Sequence, residues 1–316
     1  MNPKDTRIVF MGTPAFAVAS LDALVKAGFS IVSVVTAPDK PAGRGLQLQQ
    51  SAVKKYAVEN NLPVLQPTKL KDPAFIEALK VLDAQLFVVV AFRMLPEVVW
   101  DMPPMGTINV HGSLLPSYRG AAPINWAVIN GEKETGVTTF KLKAAIDTGN
   151  ILLQDKLPIT DEDTAGSVHD TMMVLGANLL VTTLTGLVNN TLVEKDQETI
   201  IDNDPTLLKH APKIFTETCT INWTEDATSI YNLIRGLSPF PGALTKLDDK
   251  ILKIFESAKE INNHTNKIGS ISTDSKTYLK FACADGYVHV LDLQLEGKKR
   301  MKVADFLRGY KISESE

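Results

Sequence analysis

The amino-acid sequence predicts an α/β protein, with a doubly wound, mostly parallel sheet followed by a small β-barrel domain. In residues 1–189, short apolar runs rich in β-branched residues alternate with longer segments of helical periodicity, which is typical of βαβ units. The strongest run, residues 86–92, suits a buried strand and is far shorter than the roughly 20 residues of a membrane span. Beyond residue 206 the pattern changes to short strands separated by turn residues, which is typical of a small barrel.

The elements of the first half follow from apolar runs and turn signals in chain order. The first strand ends at Gly12, and Pro14 suits the first turn of the helix that follows. Ligands of doubly wound sheets bind at the carboxyl ends of the strands, so we expect the site where residues 107–110 end. The predicted strands are residues 7–11, 31–36, 64–65, 86–91, 107–110, 137–142 and 151–159, and the predicted helices are residues 14–26, 51–60, 73–80 and 164–187.

The second half begins after a polar, weakly periodic stretch that predicts a linker over residues 190–206. We therefore expect one domain over residues 1–189 and another over residues 207–316. Gly286 predicts a hairpin turn between two of the later strands. The predicted strands are residues 244–247, 251–255, 278–282 and 288–293, with helices over residues 228–235 and 303–308.

Composition and charge restrict the classes of function. The net charge of −3 argues against a nucleic-acid partner, but it divides into −5 for residues 1–206 and +2 for residues 207–316. A basic cluster at residues 298–302 suits either a solvated surface or a phosphate backbone. Two cysteines and five histidines without metal-ligand spacing predict neither a disulfide framework nor a metal site. The sequence has no secretion signal, so we expect a cytoplasmic protein without a membrane partner.

Nucleotide-binding motifs are not supported. A dinucleotide site needs G-x-G-x-x-G after the first strand, whereas Gly12 is followed by Thr13 and Pro14. Gly12 is explained adequately by a tight turn between strand and helix. No phosphate-binding loop of the G-x-x-x-x-G-K-[ST] type occurs either.

Three polar residues predict an active site. Asn109 and His111 lie two residues apart, so on a strand both side chains point to the same face, where they can stabilise an oxyanion and transfer a proton. The alternative for His111 is a structural histidine. Asp147 lies between two predicted strands, where its carboxylate can orient a histidine, although Asp-Thr-Gly is equally suited to a turn.

The segment N-x-H-G-S-L-L-P at residues 109–116, together with D-T-G at residues 147–149, resembles the active-site signature of the folate-dependent formyltransferases. Residues 38–45, 119–124, 134–138 and 297–299 are similar to the family members that formylate initiator methionyl-tRNA, so the resemblance covers nearly the whole chain. It implies a Rossmann-like first domain that binds 10-formyltetrahydrofolate and an OB-like second domain that helps to hold initiator tRNA.

The resemblance also assigns residues to roles. Asn109, His111 and Asp147 match the catalytic trio, and no metal is required. Arg44 matches an arginine of the family's insertion loop that contacts tRNA, and Lys40 in the same loop suits phosphate. The alternative for this loop, residues 38–50, is a disordered surface loop without a role in binding. The folate-contacting loop is matched by Ser113, Leu114, Leu115 and Pro116.

Two departures from the family pattern bear on the folate pocket. Phe92 and Arg93 stand where the family has Tyr-Gly, and Ala145 and Ile146 stand where it has Gly-Leu. The alternative functions are a sugar-nucleotide N-formyltransferase with the same donor and a non-catalytic tRNA-binding protein. The basic features favour tRNA, and the presence of all three polar residues favours an enzyme. We expect a monomer.

Overall fold

A computed structural model describes residues 5–42 and 47–312 of the chain. Up to residue 210, the described residues form strands that alternate with helices. In chain order the elements are β1 (Arg7–Gly12), α1 (Ala15–Lys26), β2 (Ser30–Val35), β3 (Lys40–Ala42), β4 (Gln47–Gln49), α2 (Ala52–Glu59), β5 (Val64–Leu65), α3 (Pro73–Val81), β6 (Leu86–Val90), α4 (Glu97–Trp100), β7 (Thr107–His111), β8 (Arg119–Gly120), α5 (Pro123–Ile129), β9 (Glu134–Lys141), β10 (Ile151–Pro158), α6 (Ala165–Val188) and α7 (Gln197–Asn203).

Seven of these strands form one sheet in the order β10-β9-β7-β6-β1-β2-β5. The pairs from β7 to β5 are parallel, and β9 runs antiparallel to β7. The predicted doubly wound, mostly parallel sheet is therefore confirmed. The carboxyl ends of β6 and β7 lie side by side, since Val90 pairs with Val110. This arrangement places His111, the last residue of β7, at the end of the sheet where ligands are expected.

The central strands of this sheet are buried because both of their faces are covered. All five residues of β6 are buried, as in a parallel strand with apolar side chains on both faces. β1 ends at Gly12, where the backbone passes close to helix α1. A Cβ atom at this position would lie 2.6 Å from Cβ of Ala17. The tight turn expected at Gly12 is thus what the chain forms.

Helix α6 is long and apolar enough to span a membrane by length and composition alone, and half of its apolar stretch is buried within the protein. A Cβ atom at Gly176 would lie 3.1 Å from Val110 and 3.3 Å from Val137, which belong to β7 and β9. Packing against the sheet therefore accounts for the apolar sequence of this helix.

Two stretches for which no strand or helix is predicted from the sequence contain one. Within residues 38–50, β3 pairs with β4 in an antiparallel hairpin, with Lys40 opposite Gln49. Within residues 190–206, expected to be a linker, helix α7 begins after Asp196, whose carboxylate caps it by accepting a hydrogen bond from the backbone of Glu198.

The last third of the chain forms a six-stranded antiparallel sheet with the path β12-β13-β16-β15-β14, in which β17 pairs with β16. Register shifts between Ile254 and Ser257 bend β13. The buried core of this part includes Leu252, Phe281 and Phe306. Its elements are β11 (His210–Ala211), α8 (Thr216–Cys219), α9 (Ala227–Gly236), β12 (Ala243–Leu247), β13 (Lys250–Ile261), β14 (Ile271–Thr273), β15 (Leu279–Cys283), β16 (Gly286–Leu295), β17 (Met301–Lys302) and α10 (Val303–Gly309).

The chain divides into two compact units, each assembled from three segments. The first comprises Met1–Gly120, Gly136–Leu157 and Asp170–His210, and the second comprises Ala121–Thr135, Pro158–His169 and Ala211–Glu316. The expected division at residues 189 and 207 assigns one continuous segment to each domain. In the structure, residues 190–210 belong to the first unit.

Candidate active site

Asn109 and His111 lie on β7 with one residue between them, so both side chains point to the same face of the sheet. Asn109 is half-buried, and among the described residues its side-chain amide has no hydrogen-bond partner. His111 is buried, with only 7% of its surface exposed. The Asn109 amide is therefore available to bind a developing negative charge.

The hydrogen bond of His111 decides which ring nitrogen is available for chemistry. Its Nε2 atom lies 2.9 Å from the carbonyl oxygen of Tyr118. A carbonyl can only accept, so Nε2 carries the hydrogen and donates it. In the neutral ring, Nδ1 then holds the lone pair, and this atom lies 3.9 Å from Oδ2 of Asp147.

Asp147 is held by a contact distant in sequence. Its Oδ2 atom accepts a hydrogen bond of 2.9 Å from the backbone of Gly120, and its backbone has a φ of +55°. The carboxylate thus bonds to β8, in addition to facing His111. Thr148 bonds locally, because its hydroxyl donates to the carbonyl of Ala145. Both the turn and the expected approach to His111 are present.

The loop after β7 turns most of its side chains inward. Ser113 is fully buried, and Leu115 and Pro116 are also buried, whereas Leu114 is half-buried. The hydroxyl of Thr138 donates to the carbonyl of Ser113 at 2.6 Å and accepts from the backbone of Leu115 at 3.0 Å. A ligand at this loop would therefore contact its backbone and Leu114 rather than the other three side chains.

Lys40, one of the two predicted tRNA contacts, is exposed on β3, and Arg44 lies outside the described residues. The base of the hairpin is anchored by Asp39, whose Oδ2 atom lies 2.5 Å from Nζ of Lys54. This hydrogen bond, with a second from Gln66, lowers the pKa of the Asp39 carboxyl below its usual range. The hairpin therefore leaves the sheet from a fixed base.

Arg93, a departure from the family pattern, borders a cleft of about 780 Å³ beyond the end of β6. Its guanidinium donates hydrogen bonds to the carbonyl oxygens of Thr68, at 3.0 Å, and Pro67. It also lies 5.6 Å from the ring centroid of Phe92, which packs against the core. Arg93 therefore joins the loop after β6 to the segment after β5.

Sequence reasoning missed Gln197, the first residue of α7. It is fully buried, and its amide bonds to Arg119 and to the backbone of the loop that carries Asp147. Asp196 is a typical helix N-cap, and this signal could have revealed α7 within a stretch otherwise read as polar linker. Among the described residues, no group of three or more His, Cys, Asp or Glu side chains is placed to hold a metal ion.

Two family models together match most of the chain. Residues 6–184 match the model described as formyl transferase, and residues 213–311 match that of the formyl transferase C-terminal domain. The chain belongs to the formyl transferase family. The family resemblance predicted from the sequence motifs is confirmed.

Similar formyl transferases include two bacterial proteins that match along nearly their whole length. A protein of Bacteroides thetaiotaomicron named methionyl-tRNA formyltransferase is 52% identical over 99% of this chain and 98% of its own. One of Phocaeicola vulgatus with the same name is 55% identical over 100% of this chain and 99% of its own. Among solved structures, an N-formyltransferase from Helicobacter canadensis, in complex with folinic acid and dTDP-3-aminofucose, shares the fold. Its TM-score is 0.66 at 22% identity, with 94% of this chain and all of that chain covered.

Proposed function

We propose that this chain transfers the formyl group of 10-formyltetrahydrofolate to the α-amine of methionine on initiator tRNA. The observation that carries the proposal is the similarity, at 52–55% identity over nearly full length, to formyl transferases named for methionyl-tRNA. The placement of Asn109, His111 and Asp147 supports it, because amine formylation needs an oxyanion donor and a proton acceptor.

The transfer joins the amine nitrogen to the formyl carbon and then breaks the bond between that carbon and N10 of the folate. The Asn109 amide is suited to donate a hydrogen bond to the formyl oxygen as it becomes negative. Nδ1 of His111 is suited to accept the proton that the attacking amine loses, because Nε2 keeps its hydrogen on the Tyr118 carbonyl. The imidazolium then faces Asp147 at 3.9 Å and can return the proton to the departing N10.

Folate binding is proposed at the end of the sheet where the loops after β6 and β7 lie. The cleft of about 780 Å³ near Arg93 is lined by Leu70, Ile76 and Leu95 together with Lys69 and Lys71. Apolar walls suit the aromatic ring system of the folate, and the neighbouring cations suit its glutamate carboxylate. We infer that this cleft receives part of the donor and that the loop of residues 113–116 contributes backbone contacts.

Contacts with tRNA are proposed at Lys40 on β3, at Arg44, which lies outside the described residues, and within residues 207–316, where the net charge is +2. The lysines and the arginine of the basic cluster are all exposed, and within the cluster Arg300 and Lys302 are paired with Asp292 and Glu256. A tRNA substrate is consistent with a cytoplasmic protein, and a monomer stays a prediction that light scattering would test.

The decisive experiment gives the purified protein 10-formyltetrahydrofolate with either methionyl initiator tRNA or a dTDP-linked amino sugar. We expect formylmethionyl-tRNA and no formylated sugar. The second arm is included because the Helicobacter canadensis structure shares the fold and its complex contains an amino sugar. Formylation of the sugar alone would overturn the proposal, and binding of tRNA without formylation by either route would leave only a tRNA-binding protein.

The proposed tRNA contacts are tested by Arg44→Ala and Lys40→Ala. Each should raise KM for tRNA about two- to fivefold and reduce its salt dependence, since one exposed phosphate contact contributes up to about 1 kcal/mol. The matched control is Lys55→Ala, because Lys55 is an exposed lysine on α2 outside the hairpin. If Arg44→Ala, Lys40→Ala and the control have the same tRNA kinetics, the loop of residues 38–50 has no role in tRNA binding.

A further inference from the structure

Residues 194–209, which we call the crossing segment, hold the two loops that surround His111 and Asp147. The carbonyl of Leu207 accepts a hydrogen bond of 2.5 Å from the hydroxyl of Ser117, and the carbonyl of Lys209 accepts one of 2.6 Å from the backbone of Tyr118. These bonds attach the crossing segment to the loop after β7, which receives the hydrogen bond of His111.

The same segment also holds the loop between β9 and β10. The backbones of Lys195 and Ile151 exchange hydrogen bonds of 2.8 and 2.9 Å. The carboxylate of Glu194 lies 2.5 Å from Nζ of Lys141 and accepts a hydrogen bond from the amide of Asn150. The Lys141 hydrogen bond lowers the pKa of the Glu194 carboxyl, so Glu194 is ionised at neutral pH.

Gln197 joins the two loops directly. Its Nε2 atom donates to the carbonyls of Asp147, at 2.9 Å, and Gly149, at 2.7 Å. Its Oε1 atom accepts from Nε and Nη2 of Arg119, at 3.0 and 2.8 Å. Both donors and both acceptor sites of this amide are therefore used, which is the full capacity of a glutamine side chain.

The hydrogen bonds form a closed circuit around the catalytic pair. Gln197 bonds to the backbone of Asp147, whose carboxylate bonds to Gly120; Arg119, beside Gly120, bonds back to Gln197. Tyr118, beside Arg119, accepts the hydrogen bond of His111. The backbone of Asp147 has a φ of +55°, a left-handed conformation that residues other than glycine rarely adopt. Such a conformation persists where surrounding contacts hold it, and these hydrogen bonds supply the contacts.

We propose that Gln197 is a positioning residue, which acts through Asp147 by fixing the distance between the Asp147 carboxylate and Nδ1 of His111. Gln197 is fully buried, so it sets the geometry without touching a substrate. A glutamate at this position would have the same shape but could not replace Gln197, because an ionised glutamate has no hydrogen to donate to the two carbonyls that Gln197 binds. The inference rests on the proposed formyl transfer and specifies how the chain keeps that site assembled.

The test compares Gln197→Met with Asp147→Asn and with the double variant in the formylation of methionyl-tRNA. Gln197→Met keeps the side-chain length and removes all four hydrogen bonds. We expect kcat to fall about 10- to 100-fold with KM for both substrates changed less than about threefold, because misplaced groups slow the chemical step. In the Asp147→Asn background, Gln197→Met should cost almost nothing more, since both changes remove the same function.

The matched control is Gln85→Met, at the amino-terminal end of the sheet, where the side-chain Oε1 atom of Gln85 accepts a hydrogen bond from the backbone of Arg7. It should keep the kcat of the unmodified chain. If Gln197→Met does not fold, the shorter Gln197→Asn replaces it. Failure of both to fold would overturn the inference, since Gln197 would then serve the fold rather than the placement of Asp147.

Two other results would overturn the inference while the proposed function stands: an unchanged kcat in Gln197→Met, or losses that multiply in the double variant. The proposed function fails separately, if the unmodified chain makes no formylmethionyl-tRNA. In that case, the same comparison with whichever amine the chain formylates from 10-formyltetrahydrofolate decides the inference.

Discussion

Nε2 of His111 donates its hydrogen to the carbonyl of Tyr118 at 2.9 Å, and this bond directs Nδ1 towards Asp147. The tautomer is thus set by a backbone atom seven residues along the chain. Nδ1 can therefore accept a proton without a change of tautomer. Asp147 lies beside the ring, where the positive charge will appear after proton transfer.

Asp147→Asn should therefore lower kcat by about 10²- to 10⁴-fold, the usual contribution of a group involved in proton transfer. Asparagine can still accept the hydrogen bond from Gly120 but cannot stabilise the imidazolium as a charge. Single-turnover formylation measures the effect. Asp83→Asn is the control, because Asp83 also has a positive φ, +46°, and lies in an exposed turn. Equal rates for the two variants would contradict the role of Asp147.

Asn109→Ala should lower kcat by about 10²- to 10³-fold, as expected for loss of one oxyanion donor. Its melting temperature should stay close to that of the unmodified chain, because among the described residues no hydrogen bond of the amide is lost. Thermal unfolding and steady-state kinetics on one preparation test both parts. A variant that melts early and keeps its kcat would identify Asn109 as structural.

Gly149→Ala should disrupt the loop that carries Asp147. A Cβ atom at Gly149 would lie 1.5 Å from the carbonyl oxygen of Lys141, so the backbone has to move. We expect a loss of about 1–3 kcal/mol in the free energy of unfolding, with a fall in kcat. Gly309→Ala is the control, because nothing lies within 4 Å of a Cβ atom there. Similar unfolding curves for the two variants would argue against this contact.

Arg93→Ala should raise KM for 10-formyltetrahydrofolate about two- to fivefold, while kcat stays nearly unchanged. The variant loses the hydrogen bonds that hold one wall of the cleft, and for an exposed side chain we expect a cost of about 1 kcal/mol or less. Arg7→Ala is matched to it, because Arg7 is also exposed and donates to a backbone carbonyl, that of Leu82. An unchanged KM for 10-formyltetrahydrofolate would place this substrate away from Arg93.

The sheet was predictable because the apolar and β-branched residues of its strands stand out in the sequence. The apolar run of β6 indicates a strand buried on both faces, and Gly12 indicates the tight turn that ends β1. The hairpin of β3 and β4 was not predicted, since its strands are three residues long and lack an apolar run.

The candidate site was predictable only in part, for a similar reason. Asn109, His111 and Asp147 form a recognisable pattern of residue types. The groups that orient His111 and Asp147 include backbone atoms of Tyr118 and Gly120, which any residue type can supply. Gln197 binds such groups from 50 residues away, so nothing in its local sequence indicates the role.

The loop between β9 and β10 has one position where a side chain is poorly accommodated and another that is open to solvent. Gly149 is confined by the carbonyl of Lys141, whereas Ile146, three residues earlier, has 59% of its surface exposed. Mutational libraries that aim to broaden the range of amines formylated should therefore keep Gly149 and vary Ala145 and Ile146. The family's Gly-Leu pair at those two positions is then one solution among many that the backbone accepts.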